Sequence, residues 1–390
     1  MFIRRVPLLA LASALSLAAC DRDPATTYLP SLTAVSGPPA ALTWQAKTRE
    51  LIAANRYGAP AAGRLLAAVS VAQYRAVQSV GVINPEHHPA GDGIGAGGRA
   101  QYEAHRGAVA AASAKVLAFF FPGVAGDLNG LVEQMAGRPV HPQFARGAAL
   151  GRHAANEVIT HVSTDGFTAP WTGSAPQGAD KWKPLATPPV GVMLGSVKPY
   201  FLTSGAQFRP AAPPAYLGAE FMQDLNAVKT FALNATPAQI AIAKSWDYSA
   251  GTFTPIGYWN AKAAAFIAEQ NLGDAEAARI FSAMHASVFD AMIGCWDAKY
   301  HYWTVRPYDV EQFPLVLSKP NHPSYPSGHS CVSASAARVL EHFFPEHTSE
   351  LNALVTEAGM SRVYAGIHFL FDVSAGQALG RAVADWVLAR

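Results

Sequence analysis

Apolar residues, Ala and Leu above all, recur every three or four positions through residues 41–57, 60–80, 99–120 and 142–163. The pattern resumes through 217–233, 236–250, 257–270 and 274–298. That is the spacing at which side chains return to one face of an α-helix; a half-buried strand alternates with a period of two. Strand signals are few and no internal repeat is present, so the expected fold is all-α, a helical bundle. Half of the 390 residues are hydrophobic and only 14% are charged, enough to bury a sizeable core. Two Pro- and Gly-rich stretches interrupt the pattern, 82–98 and 164–215, the second carrying Trp171 and Trp182. The second is too long for a plain connection and is expected to wrap the body or cover a site.

The first twenty residues read as an export signal. A short basic start with Arg4 and Arg5 precedes an apolar run from Val6 to Leu17, which Leu17-Ala-Ala-Cys20 closes. The run is too short to span a membrane as a mature helix. Leu-Ala-Ala-Cys resembles the bacterial lipobox, so residues 1–20 are expected to be a lipoprotein signal peptide with Cys20 lipidated. Residues 21–40 then form a flexible tether, and 41–390 a single helical domain. Asp21 points to retention at the inner membrane, placing an exported lipoprotein on the periplasmic face of a bacterial cell envelope. An ordinary signal peptide with a chance Cys is the plainer alternative. No second stretch of roughly 18 apolar residues follows, so the lipid is the only membrane attachment expected. With Arg4 and Arg5 removed from its 29 basic residues, the chain balances its 27 acidic ones. Nothing in that balance suggests a nucleic-acid binder, which would need a basic face.

Several residues that resemble motifs carry little. Gly93 to Gly98 fits GxGxxG, but Glu-His-His-Pro-Ala-Gly-Asp before it is no strand, and a flexible loop is expected. His87 and His88 lack the companions of a metal site. Cys295 and Cys331 read as small buried apolar residues.

Three segments near the C-terminus carry chemistry. In the first, Trp296 to Pro307, Lys299 and Arg306 are seven apart, two helical turns on one face. Pro307 discourages further helix at Arg306. Both cations suit a phosphate-like group. In the second, His322-Pro-Ser-Tyr-Pro-Ser327-Gly328-His329 runs into a stretch of small residues. Ser327 and Gly328 therefore fall at a helix start, where free N–H groups and the dipole favour an anion, with His329 at the same point. In the third, Ser361-Arg362 leads through Gly366 to His368 and Asp372, four apart and able to pair on one helix face. A carboxylate on one ring nitrogen fixes the tautomer and makes the other nitrogen the better nucleophile or ligand. His368 and Asp372 would also serve as two metal ligands, but no third has a suitable spacing and three nearby cations oppose a metal cation. The set suits oxyanion chemistry: charge stabilisation, an activated nucleophile and a proton donor.

Lys-x6-Arg-Pro, Pro-Ser-Gly-His and Ser-Arg-x5-His-x3-Asp together resemble the three-part signature of the type 2 phosphatidic acid phosphatase and vanadium haloperoxidase superfamily. The segment Val197 to Pro214, Trp259, Phe289-Asp-Ala291 and Trp296 to Tyr300 resemble its bacterial haloperoxidase-like branch. The resemblance implies an all-α bundle in which Lys299, Arg306, Arg362, Ser327 and Gly328 hold the oxyanion. His368 is then the phosphorylated nucleophile of a phosphatase or the vanadium ligand of a haloperoxidase. His329 becomes the acid–base residue and Asp372 the partner of His368. Trp296 and His322 resemble positions near the halide site of some haloperoxidases. Against this, His329 and Arg362 lie only 33 residues apart, a spacing closer to the small secreted acid phosphatases.

Two enzymes and one binding protein compete on these residues. The first is a haloperoxidase with vanadate as cofactor and halide and peroxide as small-molecule substrates. The second is an acid phosphatase with no cofactor, acting on a phosphoester through phospho-His368. The third is a non-catalytic phosphate-binding lipoprotein, which the intact site makes the least favoured.

Overall fold

A computed structural model of the chain describes residues 38–82 and 96–390, with Pro38–Arg390 forming one unit. Among the described residues there are thirteen α-helices and only isolated β-bridges. The helices are α1 (Ala40–Ala54), α2 (Ala59–Val80), α3 (Ala96–Phe120), α4 (Ala125–Ala136), α5 (Pro142–Ser163), α6 (Ala219–Asn234) and α7 (Pro237–Ser245). They continue as α8 (Thr254–Glu269), α9 (Asp274–Tyr302), α10 (Pro307–Val310), α11 (Gly328–Phe343), α12 (Thr348–Tyr364) and α13 (Leu370–Leu388). The expected helical stretches are present with shifted ends. Helix α4 is unanticipated: it is a short helix of which only Leu128 is buried. The expected signal peptide, Cys20, most of the 21–40 tether, His87, His88 and Gly93 to Gly95 lie outside the described residues. No helix among those described is long and apolar enough to cross a membrane.

Helix α9 runs through the middle, buried on nearly every face from Asp274 to Lys299, with α2 on one side and α11 and α13 on the other. Small residues decide how closely its neighbours approach. A Cβ at Gly376 or Gly380 of α13 would run into the backbone of α11, at Ser327 and Cys331. These glycines let the start of α11 lie against the start of α13, and Ser327 N–H donates to the Asp372 carbonyl at 2.9 Å. Two of the three signature segments are thereby held together by backbone.

The 164–215 excursion folds over its own chain. Asp290, buried in α9, accepts the backbone N–H groups of Tyr200, Phe201 and Leu202 at 2.8, 2.7 and 2.9 Å. Arg209 grips Asp297 of the same helix through two parallel bonds of 2.6 and 3.0 Å. Further back, Val190 N–H donates to Asn321, and the Val190 carbonyl accepts the Trp296 indole at 3.1 Å and the Tyr300 hydroxyl at 2.7 Å. The excursion therefore lies beside the signature segments.

Candidate active site

Lys299 sits in the last turn of α9, but Arg306 does not follow it on the same helix, contrary to the two-turn expectation. The helix ends at Tyr302, Trp303 turns left-handed at φ 53°, and Arg306 is extended at φ −88° and ψ 154°. Pro307 disfavours helical backbone in the residue before it, and Trp303-Thr304-Val305 is a poor stretch in which to continue a helix. The extended strap brings the guanidinium back across the loop that precedes α11. There Arg306 donates to the carbonyls of Ile367 (2.5 Å) and His322 (3.0 Å) and to the ring nitrogens His368 Nε2 (3.2 Å) and His322 Nδ1 (3.1 Å).

The Lys299 ammonium is fully buried and gives its three protons to the carbonyls of Pro323, Ser324 and Pro326, at 2.9, 2.8 and 2.5 Å. It therefore shapes the Pro-rich loop directly and supplies its charge from beneath. Burial lowers its pKa to about 8, and the charge of Arg306 acts in the same direction. A bound anion would oppose both effects.

Ser327 caps α11, its hydroxyl accepting the Ser330 N–H at 3.4 Å. Gly328 and His329 are the first two helical residues, and the first N–H groups of a helix have no partner within it. This is the anion-favouring helix start the sequence predicts. Gly328 is needed for close packing, since a Cβ there would meet the Trp296 ring at 3.2 Å.

His368 and Asp372 pair as expected, His368 Nδ1 to Asp372 Oδ2 at 2.8 Å, but not along one helix. Gly366, at φ +76°, ends the turn after α12, and His368 precedes the first residue of α13. Asp372 lies in the first turn of α13, where its Oδ2 also accepts the Phe369 N–H at 3.0 Å and the Ser324 hydroxyl at 2.6 Å. A carboxylate in that turn caps the helix and fixes the imidazole together. Ser324 is a participant the sequence reading did not single out, although it stands inside the second segment.

The protonation state of His368 follows from its neighbours. A guanidinium only donates, so Nε2 facing Arg306 must accept, and Nδ1 must carry the proton given to Asp372. Burial, then Arg306, Lys299, His322 and His329, hold its pKa well below the usual value, so the ring is neutral. Burial raises Asp372 to about 6, against the opposing pull of Ser324, Lys299, Phe369 N–H and Arg306.

Arg362 and His329 complete the set from another side. Arg362, buried in the last turn of α12, donates to the Ala243 carbonyl at 2.7 Å and to Ser361 Oγ at 2.9 Å. His329 Nε2 lies 2.8 Å from the Trp246 carbonyl. Burial first and Arg362 second keep His329 neutral, and Lys299 adds to the effect. The rings of the buried Trp296 and the half-buried His322 stand 5.5 Å apart, with His322 against Arg306 at the charged centre.

Residues 278–389, which contain every one of the predicted oxyanion-site residues, match the family model described as the PAP2 superfamily. This segment belongs to the PAP2 superfamily. A non-specific acid phosphatase of Salmonella typhi is 40% identical over 81 residues, covering 21% of this chain and 30% of the relative. One from Salmonella typhimurium is 34% identical over 88 residues, covering 21% and 35%. The chain thus matches about a third of the length of these relatives. Among solved structures, a bacterial vanadium-dependent iodoperoxidase superposes with a TM-score of 0.72 at 22% identity, covering 92% of this chain and 97% of that one. An apo-type bacterial vanadium-dependent chloroperoxidase gives 0.66 at 16% identity, with 92% and 95% covered. These two share the all-helical fold with the whole described body, beyond the PAP2 segment.

Proposed function

We propose that the chain is a haloperoxidase-like enzyme that oxidises halide with hydrogen peroxide, with vanadate held on His368. The observation that carries this is the state of His368: a neutral imidazole whose Nδ1–H is committed to Asp372 and whose Nε2 lone pair faces a buried guanidinium. Such a nitrogen suits bonding to the central atom of an oxyanion. Around it, Arg306 and Arg362 supply charge that is not lost by deprotonation near neutral pH, Lys299 adds charge from below, and the start of α11 offers Gly328 and His329 N–H groups. These residues fit vanadate. When bound, vanadate activates peroxide for two-electron oxidation of a halide. The chain's own part is to hold the His368 tautomer through Asp372 and Ser324, to neutralise the anion, and to present the Trp296–His322 wall to a small halide. Fold likeness spanning nearly all of a vanadium-dependent iodoperoxidase supports this reading.

The phosphatase reading rests on a different observation, the 40% local identity with an acid phosphatase. In it, His368 Nε2 attacks phosphorus, the P–O bond to the alcohol breaks, and the leaving oxygen takes a proton from His329. Water then hydrolyses phospho-His368. His329 must gain a second proton on Nδ1 for that role, because its Nε2–H is spent on Trp246.

One pair of assays separates them. Phosphate-free protein is tested for bromide and iodide oxidation by peroxide with and without orthovanadate, beside hydrolysis of a chromogenic phosphate ester. Halide oxidation dependent on vanadate and absent in His368→Ala is expected. Ester hydrolysis inhibited by vanadate, with no halide oxidation, would establish the phosphatase instead.

A further inference from the structure

We infer that the C-terminal end of α7, outside the PAP2 segment, is a positioning device for the site: the Trp246 carbonyl, anchored through its indole by Glu357, selects which nitrogen of His329 performs chemistry. The inference rests on His329 as the acid–base residue, the role the family resemblance implies for it in either enzyme.

The last carbonyls of a helix have no acceptor role within it and must find donors elsewhere. At the end of α7 two of the carbonyls meet site residues: Ala243 accepts from Arg362 at 2.7 Å, and Trp246, the capping residue, lies 2.8 Å from His329 Nε2. A carbonyl only accepts, so the proton of neutral His329 must reside on Nε2, leaving Nδ1 as the nitrogen with a lone pair. The charges and rings that act on this imidazole come from every side: Arg362 on α12, Lys299 on α9, and His322 and His368 on the loops before α11 and α13.

Trp246 is held at several points. Its N–H donates to the Ile242 carbonyl at 3.2 Å, its ring packs edge-on to Tyr258 at 4.8 Å, and only 3% of it is exposed. Its indole N–H donates to Glu357 Oε1 at 2.9 Å. Glu357 lies on α12, five residues before Arg362. Helices α7 and α12 therefore clamp one another through two bonds running in opposite directions. From α12, Arg362 donates to a carbonyl of α7; from the end of α7, the Trp246 indole donates to a carboxylate of α12. Trp246 is buried and meets the site through His329, and Glu357 reaches it through Trp246, so both are positioning residues.

The tautomer can be read without turnover, by two-bond 15N–1H correlation on the whole protein labelled at histidine nitrogen. In the wild type, His329 is expected as the Nε2–H form alone. Trp246→Phe, which keeps an aromatic ring but removes the indole N–H, and Glu357→Ala should each mix in the Nδ1–H form. Both should lower kcat in whichever assay is active by roughly five- to tenfold, the worth of one hydrogen bond, with KM little changed. Glu357→Gln keeps an oxygen acceptor and should recover most of the loss. A wild-type His329 protonated on Nδ1 overturns the proposal outright. So does an unchanged tautomer in both variants, or a shifted tautomer with unchanged kcat. If Trp246→Phe does not fold, Glu357→Ala, at a partly exposed side chain, carries the same decision.

Discussion

At the scale of single residues, one oxygen holds much of the site together. Asp372 Oδ2 accepts from His368, Ser324 and the Phe369 N–H, so it fixes a tautomer, a loop and a helix start at once. Asp372→Asn can retain a bond to the imidazole but loses the charge that stabilises it. It is expected to lower kcat by on the order of 10²–10⁴-fold, by comparison with other His–carboxylate sites, with the His368 pKa lower still. Steady-state kinetics over a pH series checks this. Ser324→Ala removes one of the three donors and should cost about 1 kcal/mol of transition-state stabilisation, read as a drop in kcat/KM. The His368–Asp372 pair is legible in its four-residue spacing. Ser324 is not, because nothing in the sequence distinguishes its hydroxyl from that of Ser327 until the loop is folded. Lys299 is legible as a cation of the site. That all three of its protons go to the carbonyls of the loop depends on the path of residues 323–326.

Among the elements, the helices follow from their apolar period, and the connections do not. The strap from Trp303 to Arg306 departs from the expected helix because of local backbone preferences around Pro307, a signal present in the sequence and outweighed in the seven-residue spacing. The 164–215 excursion has no period to read, and its path is set by single side chains far away in sequence: Asp290, Asp297 and Asn321, whose Oδ1 accepts the Leu185 and Ala186 N–H groups. Asp290→Ala should leave the N–H groups of Tyr200, Phe201 and Leu202 without their acceptor. Removing a buried hydrogen-bond partner costs about 1–3 kcal/mol per group left unmatched, less what water recovers. A total loss of about 2–4 kcal/mol is expected on that basis, measured as a lower urea midpoint at unchanged slope. Protease cleavage within 164–215 should accelerate in the same variant.

For the whole molecule, buried titratable groups set the acid limit of stability. His285, inside α9, is lowered by burial to about 3, and His322, His329 and His368 lie well below their usual value. Each binds a proton in the unfolded chain below about pH 6.5 before it does in the folded one, so each erodes stability as pH falls. Asp274, Asp290 and Asp372 work in reverse, since burial raises each to about 6 and they take up protons in the folded chain first. Between pH 6 and about 4 the two sets largely offset one another. Below the ordinary aspartate range the carboxylates no longer offset the histidines, and His285, neutral in the folded chain down to about pH 3, still costs about 1.4 kcal/mol per pH unit. The urea midpoint of the anion-free protein should therefore change little from pH 6 to 4 and fall steeply below it.

The assignment of His368 Nε2 as the atom that meets the oxyanion is tested most directly by vanadate binding to phosphate-free protein, followed by 51V NMR and calorimetry. One equivalent bound by the wild type, with affinity lost in His368→Ala and weakened in Arg306→Ala, is the expected result. Undiminished binding in His368→Ala would contradict it and move the oxyanion to other residues.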